Sequence, residues 1–479
     1  MVLPKGGEKI QGPPPPNFSP STPTPAASSA TPSSSNSGVN VSSGKKSNLK
    51  KILLFIFSFF ALLSLGWFAF RRFNRSPSSP NREVTITFWG LWEPLSVMEG
   101  VIADFEKENP KIKVSYQQQS LTNYRRRLQS ALVSESGPDL FLFHNTWLPM
   151  LKDNLLPLSY EIEGDFYPVV KKSLYYQGRY YGLPYNMDTL ALFYNKDLLS
   201  RAQASPPKTW DEFRQLASKL TMRDNEGRIK IAGAALGEVS NVDHWSDILG
   251  LMLLQNGAKI NGPYQEAAEQ ALQFFVVFSR QDHVWDDSLP ASTEAFAGGK
   301  LAMYFAPSWR IISILAQNPS LNFGVAPVPQ LPQPEEDLFE SSPVAWASFW
   351  AYGLNSKLVS SEKKAAAETF LKYLSRKETR ERIYKAGTQT HYVGALYPQA
   401  DMAPLLKDDP LLKPFLDQAA YAKSWYLCSR TGDEGINSAI IKYFEDSINR
   451  LLSGEESQLE TTVSTGVAAV LKKYGAAPF

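Results

Sequence analysis

The residues of this chain that could take part in chemistry are mostly aromatic and polar side chains, and few of them suit catalysis. Its single cysteine, Cys428, cannot form an intrachain disulfide, and its four histidines have none of the spacings typical of metal ligands. The histidines are His144, His244, His283 and His391. The 11 Trp, 21 Tyr and 27 Phe exceed what a core of this size needs, which leaves aromatic side chains free to line a groove. The composition therefore favours noncovalent binding, with no metal or cofactor expected.

The elements that would position such a groove follow a β-α-β-α-β order. Apolar residues alternate with polar ones over 84–88 and 112–116, whereas the LFLF run at 140–143 is apolar on both faces, as buried parallel strands are. Helices are predicted between them over 97–109 and 124–133. This order predicts a doubly wound α/β lobe, in which ligands bind just beyond the carboxyl ends of the strands.

Two loops beyond these strands are therefore the first site candidates. Trp92 and Glu93 follow the first strand, and His144 and Asn145 follow the third. An alternative for Glu93 is a charge favoured by the dipole of the helix that follows it. His144 is also consistent with a satisfied structural donor, and the nearby Trp147 with core packing.

The first 82 residues differ in composition from the rest. Residues 1–50 are rich in Pro, Ser, Thr and Gly, which predicts a disordered tail. Residues 52–70 carry no charge, and a helix rising about 1.5 Å per residue over them would cover roughly the 30 Å of a bilayer core. No small-residue cleavage site follows, so we expect an uncleaved transmembrane anchor over 51–71 and a polar spacer over 72–82.

The charge balance excludes one class of partner and leaves the direction of the anchor open. Lys and Arg number 49 against 47 Asp and Glu, so nothing favours nucleic acid as a partner. The lysines before the apolar segment are balanced by arginines after it. The flanking charges therefore do not determine which end of the anchor is cytoplasmic.

Motifs in the body, from about Glu83 to Tyr474, resemble those of the extracellular solute-binding proteins of sugar ABC importers, the maltose-binding-protein-like family 1. The matching stretches, in family order, are ITFWG at 86–90, FEKENPKIKV at 105–114, GPDLFLF at 137–143, LPYNMDTLALFYNKDLL at 183–199, PKTWDEF at 207–213, FAGGKLAMYFAPSW at 296–309 and YGLNSK at 352–357. The resemblance implies a two-lobed α/β fold of the periplasmic-binding-protein type (type II-like), whose lobes close on a ligand like a hinge. It implies a first lobe of about 83–188 and 309–372, and a second of about 189–308 and 373–479.

The resemblance also implies which residues contact the ligand. Asp188, at the crossing between lobes, matches a position whose carboxylate holds sugar hydroxyls, and Trp309 resembles a stacking tryptophan. A solvated hinge residue is the alternative for Asp188. Trp346 and Trp350 flank the later return to the first lobe. The full set of candidate ligand contacts is Trp92, Glu93, His144, Asn145, Asp188, Asn241, Trp245, Trp309, Trp346, Trp350 and Asn437.

The function that follows from the resemblance is capture without catalysis. The binding domain would lie outside the cell, anchored in the lipid bilayer through residues 52–70, and would deliver a small molecule, expected to be a sugar, to ABC permease subunits. Many relatives are anchored instead by a lipidated N-terminal cysteine, which this chain lacks. Two alternatives remain, a membrane-tethered sensor subunit and a glycoside-acting enzyme, for which Glu93 and Asp188 are the only carboxylate pair we nominate.

Overall fold

The computed structural model describes the body of the chain in several stretches. These are residues 83–134, 136–259, 266–331, 342–358, 360–389, 394–432, 434–459 and 462–476. The tail, the anchor and the spacer predicted over residues 1–82 lie outside them. Among the described residues, no helix combines the length and the apolar composition that a membrane span requires.

Alternating and fully apolar segments form the strands. The strands are β1 Val84–Gly90, β2 Ile112–Gln118, β3 Leu140–His144, β4 Leu155–Leu156, β5 Tyr175–Tyr176, β6 Arg179–Tyr180, β7 Leu183–Pro184, β8 Asp188–Thr189, β9 Ala191–Asn195, β10 Met222–Arg223, β11 Ile229–Ala234, β12 Leu301–Ala306, β13 Phe323–Ala326, β14 Ala345–Ser348, β15 Trp350–Asn355 and β16 Ala422–Lys423. The strands predicted over 84–88, 112–116 and 140–143 are confirmed as β1, β2 and β3.

Amphipathic and buried helices connect the strands. The helices are α1 Leu95–Glu108, α2 Tyr124–Val133, α3 Leu148–Leu151, α4 Pro168–Leu174, α5 Lys196–Arg201, α6 Trp210–Leu220, α7 Trp245–Gln255, α8 Glu266–Arg280, α9 Ser292–Ala297, α10 Arg310–Gln317, α11 Ser361–Ser375, α12 Lys377–Gly387, α13 Lys413–Asp417, α14 Ile436–Leu452 and α15 Ala468–Tyr474. Short 3-10 turns cover Asn145–Trp147, Ala400–Leu405 and Ala419–Tyr421, and a π-helical turn covers Thr462–Val467.

The first sheet has the strand order β2-β1-β3-β15-β4, with β7 also paired to β15. Strand β1 runs parallel to both of its neighbours, with Phe88 opposite Tyr116 on one side and Leu140 on the other. This confirms the doubly wound start of the lobe, and β15 extends the sheet as an antiparallel strand beside β3. Because β1 and β3 are parallel, their carboxyl ends lie at one edge of the sheet, and the loops that follow them are neighbours.

The second sheet has the order β10-β11-β12-β9-β13. Its strand β11 pairs antiparallel with β10 and parallel with β12. Gly233 in β11 shows how closely α6 covers this sheet, because a Cβ there would lie 1.7 Å from the carbonyl oxygen of Ala217. Two α/β sheets, each with its own helices, confirm the two-lobed α/β class.

Short strands join the two sheets. The segment β8 leads from the first sheet to the second, and β14 leads back, with Thr189 opposite Ala347 and Asp188 opposite Ser348 in antiparallel register. The expected return of the chain at residue 309 is wrong, because Phe323–Ala326 still pairs with β9 in the second sheet. The return occurs instead at β14, which precedes β15 of the first sheet.

The placement of the residues after 372 also differs from the expectation. They were expected in the second lobe, but Lys377–Gly387 packs against Leu95–Glu108 of the first. Ion pairs from Arg382 to Asp104 and from Arg376 to Glu108 fasten this contact. The first lobe therefore includes α12.

Candidate functional site

Four aromatic rings meet at the edge of the first sheet. Trp350, the first residue of β15, lies opposite His144 at the end of β3. Its ring makes edge contacts with Trp92 at 5.2 Å, Trp147 at 5.2 Å and His144 at 5.3 Å between centroids. Trp147 is fully buried and packs in the core, whereas Trp92 is 40% exposed. The solvent-facing indole of Trp92 therefore packs on a cluster of buried aromatic rings.

Glu93 faces into the first lobe beside this cluster. The hydroxyl of Tyr185 donates to Glu93 Oε1 at 2.5 Å, and the hydroxyl of Tyr116 donates to the Glu93 carbonyl oxygen. Burial, followed by the charge of Glu93, raises the pKa of Tyr185 well above its ordinary value, so Tyr185 remains a proton donor. Arg380 is fixed behind the tyrosine through hydrogen bonds to the carbonyl oxygens of Pro184 and Tyr185, at 2.7 and 2.8 Å. Glu93 is thus a carboxylate with a fixed orientation.

Two buried amides join the segment around residues 424–437 to the first lobe. Asn145 donates to Ser424 Oγ at 2.9 Å and accepts from the amide of Phe349 at 3.2 Å. Asn437 donates to Thr146 Oγ1 at 2.6 Å and accepts from the amide of Cys428 at 3.2 Å. Amides that are buried and bonded in this way are structural links, which argues against Asn145 and Asn437 as ligand contacts.

His144 is bonded in the same region. Its Nδ1 lies 2.7 Å from Thr146 Oγ1, and the ring is buried. This arrangement supports the structural alternative for His144 more than a ligand contact.

Asp188 lies at the crossing between the lobes, and protein donors surround its carboxylate. Its Oδ2 accepts from the amide and the hydroxyl of Ser308, at 3.0 and 2.7 Å, and its Oδ1 accepts from the amide of Thr189 at 2.8 Å. Burial raises the pKa of Asp188 to about 6, although these hydrogen bonds oppose the increase. Asp188 therefore fastens β8 to the turn before α10, which excludes the alternative of a freely solvated hinge residue.

The second lobe presents Trp309 at that turn. Its indole is 39% exposed, and the guanidinium of Arg310 lies 4.5 Å from the ring centroid. His244 makes an edge contact with the same ring at 5.4 Å. Trp309 is therefore a second solvent-facing indole, supported by a cation and an imidazole.

Two hydrogen bonds fix the guanidinium of Arg310. Its NH2 group donates to Asp243 Oδ1 at 3.0 Å and its Nε–H donates to His244 Nε2 at 3.0 Å. Burial opposes ionisation of Asp243, but the charges of Arg310 and Arg430 and hydrogen bonds from Thr293 outweigh it and lower the pKa to about 2. Sequence reasoning missed these charged residues because no periodicity or motif marks them, although Arg310 and His244 are chain neighbours of two candidate tryptophans.

Three remaining candidates are less accessible. Trp346 is 2% exposed and its Nε1–H donates to Asp247 Oδ1 at 2.8 Å, so its role is packing at β14 and the proposed ligand contact is not supported. Asn241 donates to the carbonyl oxygens of Asp286 and Leu289 and accepts from Trp285 Nε1. Both ends of the Asn241 amide are therefore engaged in holding this loop. Trp245 is partly buried at the start of α7.

The candidate residues do not line the surface cavities of the described body. Surface cavities of about 340, 660 and 420 Å³ in the described body have linings that include none of the candidates. The largest lies where α1 meets the junction of α11 and α12. Across the described ranges, no group of three or more His, Cys, Asp or Glu is arranged to hold a metal ion.

Comparison with known sequences identifies a family. The profile of the bacterial extracellular solute-binding proteins matches residues 100–414. The chain is similar to the maltotriose-binding protein of Pyrococcus abyssi, with 23% identity over 259 residues that span 51% of this chain and 54% of the relative. It is also similar to the diacetylchitobiose-binding protein DasA of Streptomyces coelicolor, with 25% identity over 311 residues, 60% of this chain and 68% of that protein. The aligned region thus spans about half to two thirds of these relatives.

Solved structures share the fold. A cyclo/maltodextrin-binding protein complexed with maltotetraose superposes with a TM-score of 0.64 at 19% identity, covering 83% of this chain and 98% of that one. The sugar-binding protein MalE of Xanthomonas citri gives a TM-score of 0.64 at 24% identity, covering 82% and 98%. The resemblance inferred from the motifs is confirmed, and the chain belongs to the bacterial extracellular solute-binding protein family.

Proposed function

We propose that this chain is the membrane-anchored substrate-binding component of an ABC importer and that it binds a mono- or oligosaccharide between its lobes without catalysis. The observation that carries this proposal is the pair of solvent-facing indoles, Trp92 on the first lobe and Trp309 on the second, each supported by packed rings or charges. An indole face covers the C–H face of a sugar, and nearby carboxylates accept hydrogen bonds from its hydroxyls. Glu93 and Asp188 would supply such acceptors. The names of the related proteins, which include sugar-binding proteins, support the same ligand class.

Hinge closure is the proposed means of capture. The joining strands β8 and β14 pair through only two residues each. Small backbone rotations in such short segments would change the relation of the two sheets while each sheet stays intact. Trp350 and Asp188 lie directly at this junction, so ligand contact and lobe movement would be coupled there.

The anchor and the partner complete the proposal. Residues 52–70 would hold the binding domain at the outer surface of the cell membrane, with residues 1–50 in the cytoplasm, and a permease in the same membrane would receive the ligand. Alkaline carbonate extraction of membranes tests the anchor, since a spanning helix keeps the chain in the pellet. Protease added to intact spheroplasts tests the orientation, because only an external domain is digested.

Thermal unfolding of the 479-residue chain with a panel of mono- and oligosaccharides tests the ligand. A ligand at about 100 times its dissociation constant adds roughly 2.7 kcal/mol to the free energy of unfolding. The detergent should be a polyoxyethylene ether, because maltoside and glucoside detergents carry competing sugar head groups. A panel that leaves the melting temperature unchanged would refute sugar binding.

Variants connect the binding to the two indoles. Trp92→Ala and Trp309→Ala should each weaken affinity for the bound sugar by about tenfold or more, as expected for loss of an aromatic contact. Tyr175→Ala is the matched control, because Tyr175 is an exposed aromatic residue on the separate β5–β6 hairpin. If the chain turns over a sugar and Asp188→Asn abolishes that turnover, the enzymatic alternative would be established instead.

A further inference from the structure

A compact group of polar and charged side chains lies behind Trp309 in the second lobe. We call Asp243, His244, Asp247, Arg310 and Ser429 the second-lobe charge cluster. His244 is buried, and its backbone has the left-handed conformation with φ of 62°, which is uncommon for residues other than glycine. The cluster joins the start of α7, the start of α10 and the segment around residue 429, so it links three parts of the chain at the back of one indole.

The hydrogen bonds of the cluster define the protonation state of His244. An arginine side chain can only donate hydrogen bonds, so His244 Nε2, 3.0 Å from Arg310 Nε, must accept and carries no proton. The proton of the neutral imidazole is then on Nδ1. That nitrogen lies 2.8 Å from Ser429 Oγ and 3.5 Å from Asp247 Oδ2, and both oxygens can accept from it.

The same contacts position the tryptophan. His244 holds the Nε side of the Arg310 guanidinium and Asp243 holds its NH2 side, which keeps the guanidinium carbon Cζ 4.5 Å from the Trp309 ring centroid. The His244 ring also touches the indole directly. Since the acceptor Nε2 is needed for this arrangement, the position of Trp309 depends on a neutral His244.

We propose that the second-lobe charge cluster positions Trp309 and makes binding at the interlobe site pH dependent, with neutral His244 as the binding-competent form. This proposal rests on the proposed function, because Trp309 is its ligand surface. Protonation of His244 places a proton on Nε2 against the Nε–H of Arg310, so the two donors repel and the guanidinium leaves its place under the indole. Affinity should therefore be full at neutral pH and fall as the pH falls.

Several charges act on His244 from the surrounding elements. Asp243 and Asp247 on its own segment favour its protonation, and Arg310 on α10 opposes it. Arg430 reaches Asp243 from the segment after Ser429 and competes for the same carboxylate. Burial is the largest influence and lowers the pKa of His244 below its ordinary value of 6.5. The neutral form thus prevails at neutral pH, and the transition lies below pH 6.5.

Nuclear magnetic resonance tests the positioning step without any ligand. The 479-residue chain, labelled with 15N only in histidine and tryptophan, is titrated from pH 7.5 to 5, with His244 and Trp309 assigned by His244→Gln and Trp309→Phe. We expect an Nδ1–H tautomer for His244, a pKa below 6.5, and a Trp309 Nε1–H resonance that shifts with the same midpoint. An Nε2–H tautomer at neutral pH, or a Trp309 resonance unaffected by the titration of His244, would overturn the proposal.

Affinity for maltotriose, used as the probe sugar, tests the functional consequence. For the unmodified chain we expect the dissociation constant to rise by up to about tenfold per pH unit below the His244 pKa, the limit for one linked proton. In His244→Gln the amide oxygen can still accept from Arg310 but cannot titrate, so the part of the pH dependence that belongs to His244 should disappear and only that of Asp188, whose pKa is about 6, should remain.

Two controls separate this effect from others. His283→Gln removes an exposed histidine that also has a left-handed backbone, with φ of 50°, and should keep the pH dependence of the unmodified chain. Asp188, whose pKa is about 6, remains in every variant and contributes to each, so a pH dependence in His244→Gln as large as that of the unmodified chain would refute the role of His244. If maltotriose and the wider sugar panel do not bind, the proposed function fails, while the resonance titration still decides whether the cluster positions Trp309.

Discussion

Replacing Gly250 with alanine should destabilise the second lobe at its contact with the joining strand β14. Gly250 lies inside α7, and a Cβ there would come 2.4 Å from Cζ3 and 2.5 Å from Cη2 of Trp346. Carbon atoms in contact are normally about 3.5–4.0 Å apart, so the buried indole must move by more than 1 Å. Because Trp346 also donates to Asp247 at 2.8 Å, that movement strains or breaks a buried hydrogen bond.

The expected magnitude combines opposing contributions. Overpacking of a buried site costs about 1–3 kcal/mol, and loss of the Trp346 hydrogen bond costs about 1 kcal/mol more. The higher helix propensity of alanine returns roughly 1 kcal/mol. The net expectation is a decrease of about 1–3 kcal/mol in the free energy of unfolding.

Urea unfolding of the 479-residue chain, followed by tryptophan fluorescence and circular dichroism, measures this change. Gly100→Ala is the matched control, because Gly100 also lies inside a helix but its nearest obstacle is the flexible end of Arg382, at 2.9 Å. We expect Gly100→Ala to leave stability unchanged or to raise it by up to about 1 kcal/mol. A Gly250→Ala protein as stable as the Gly100→Ala protein would refute the packing of Trp346 on α7.

Three further predictions concern single side chains. Asp188→Asn should remove a pH-dependent contribution to the free energy of unfolding. The pKa of Asp188 is about 6 in the folded chain, above its ordinary value of 3.8. The carboxyl therefore stabilises the fold fully below pH 3.8, and up to about 3 kcal/mol of that stabilisation is lost as the pH rises through 6. Unfolding of both proteins at pH 4 and 7 checks this, and an unchanged stability difference between them would contradict it. Gly233→Ala should prevent stable folding, because the added Cβ would overlap the Ala217 carbonyl oxygen; a soluble, cooperatively unfolding variant would be the contrary result. Arg380→Met should cost about 2–4 kcal/mol by leaving two buried carbonyl oxygens without donors, and urea unfolding would show a smaller loss if water replaces the guanidinium.

Patterns of residues close together in the sequence predicted those strands and helix ends that depend on contacts between chain neighbours. The alternation over residues 84–88 reports which face of β1 is buried, and the structure places Ile86 and Phe88 in the core. Thr209 and Glu212 form a capping box, because both groups lie within one turn of the same helix. The extra strand Ile229–Ala234 was missed since it has small residues and little alternation, and its place in the sheet depends on a parallel neighbour near residue 301.

In the candidate site, local sequence patterns do not predict which side chains are exposed. Trp309 and Trp346 are both candidate ligand contacts, yet one is 39% exposed and the other 2%. The difference arises because Trp346 meets Gly250 on a distant helix, whereas Trp309 ends a turn at the surface. The hydrogen bonds of Asn145 and Asn437 likewise join them to partners far away in the chain.

By itself the sequence determined the family, the first α/β unit and the loops after its strands, because these depend on periodicity, turn residues and motifs that lie close together in the chain. Only the tertiary structure decided where the chain returns to the first lobe and which aromatic side chains face solvent. It also brought His244, Arg310 and Ser429 together from three separate segments. Such contacts depend on the packing of whole elements, and no local pattern of residues encodes them.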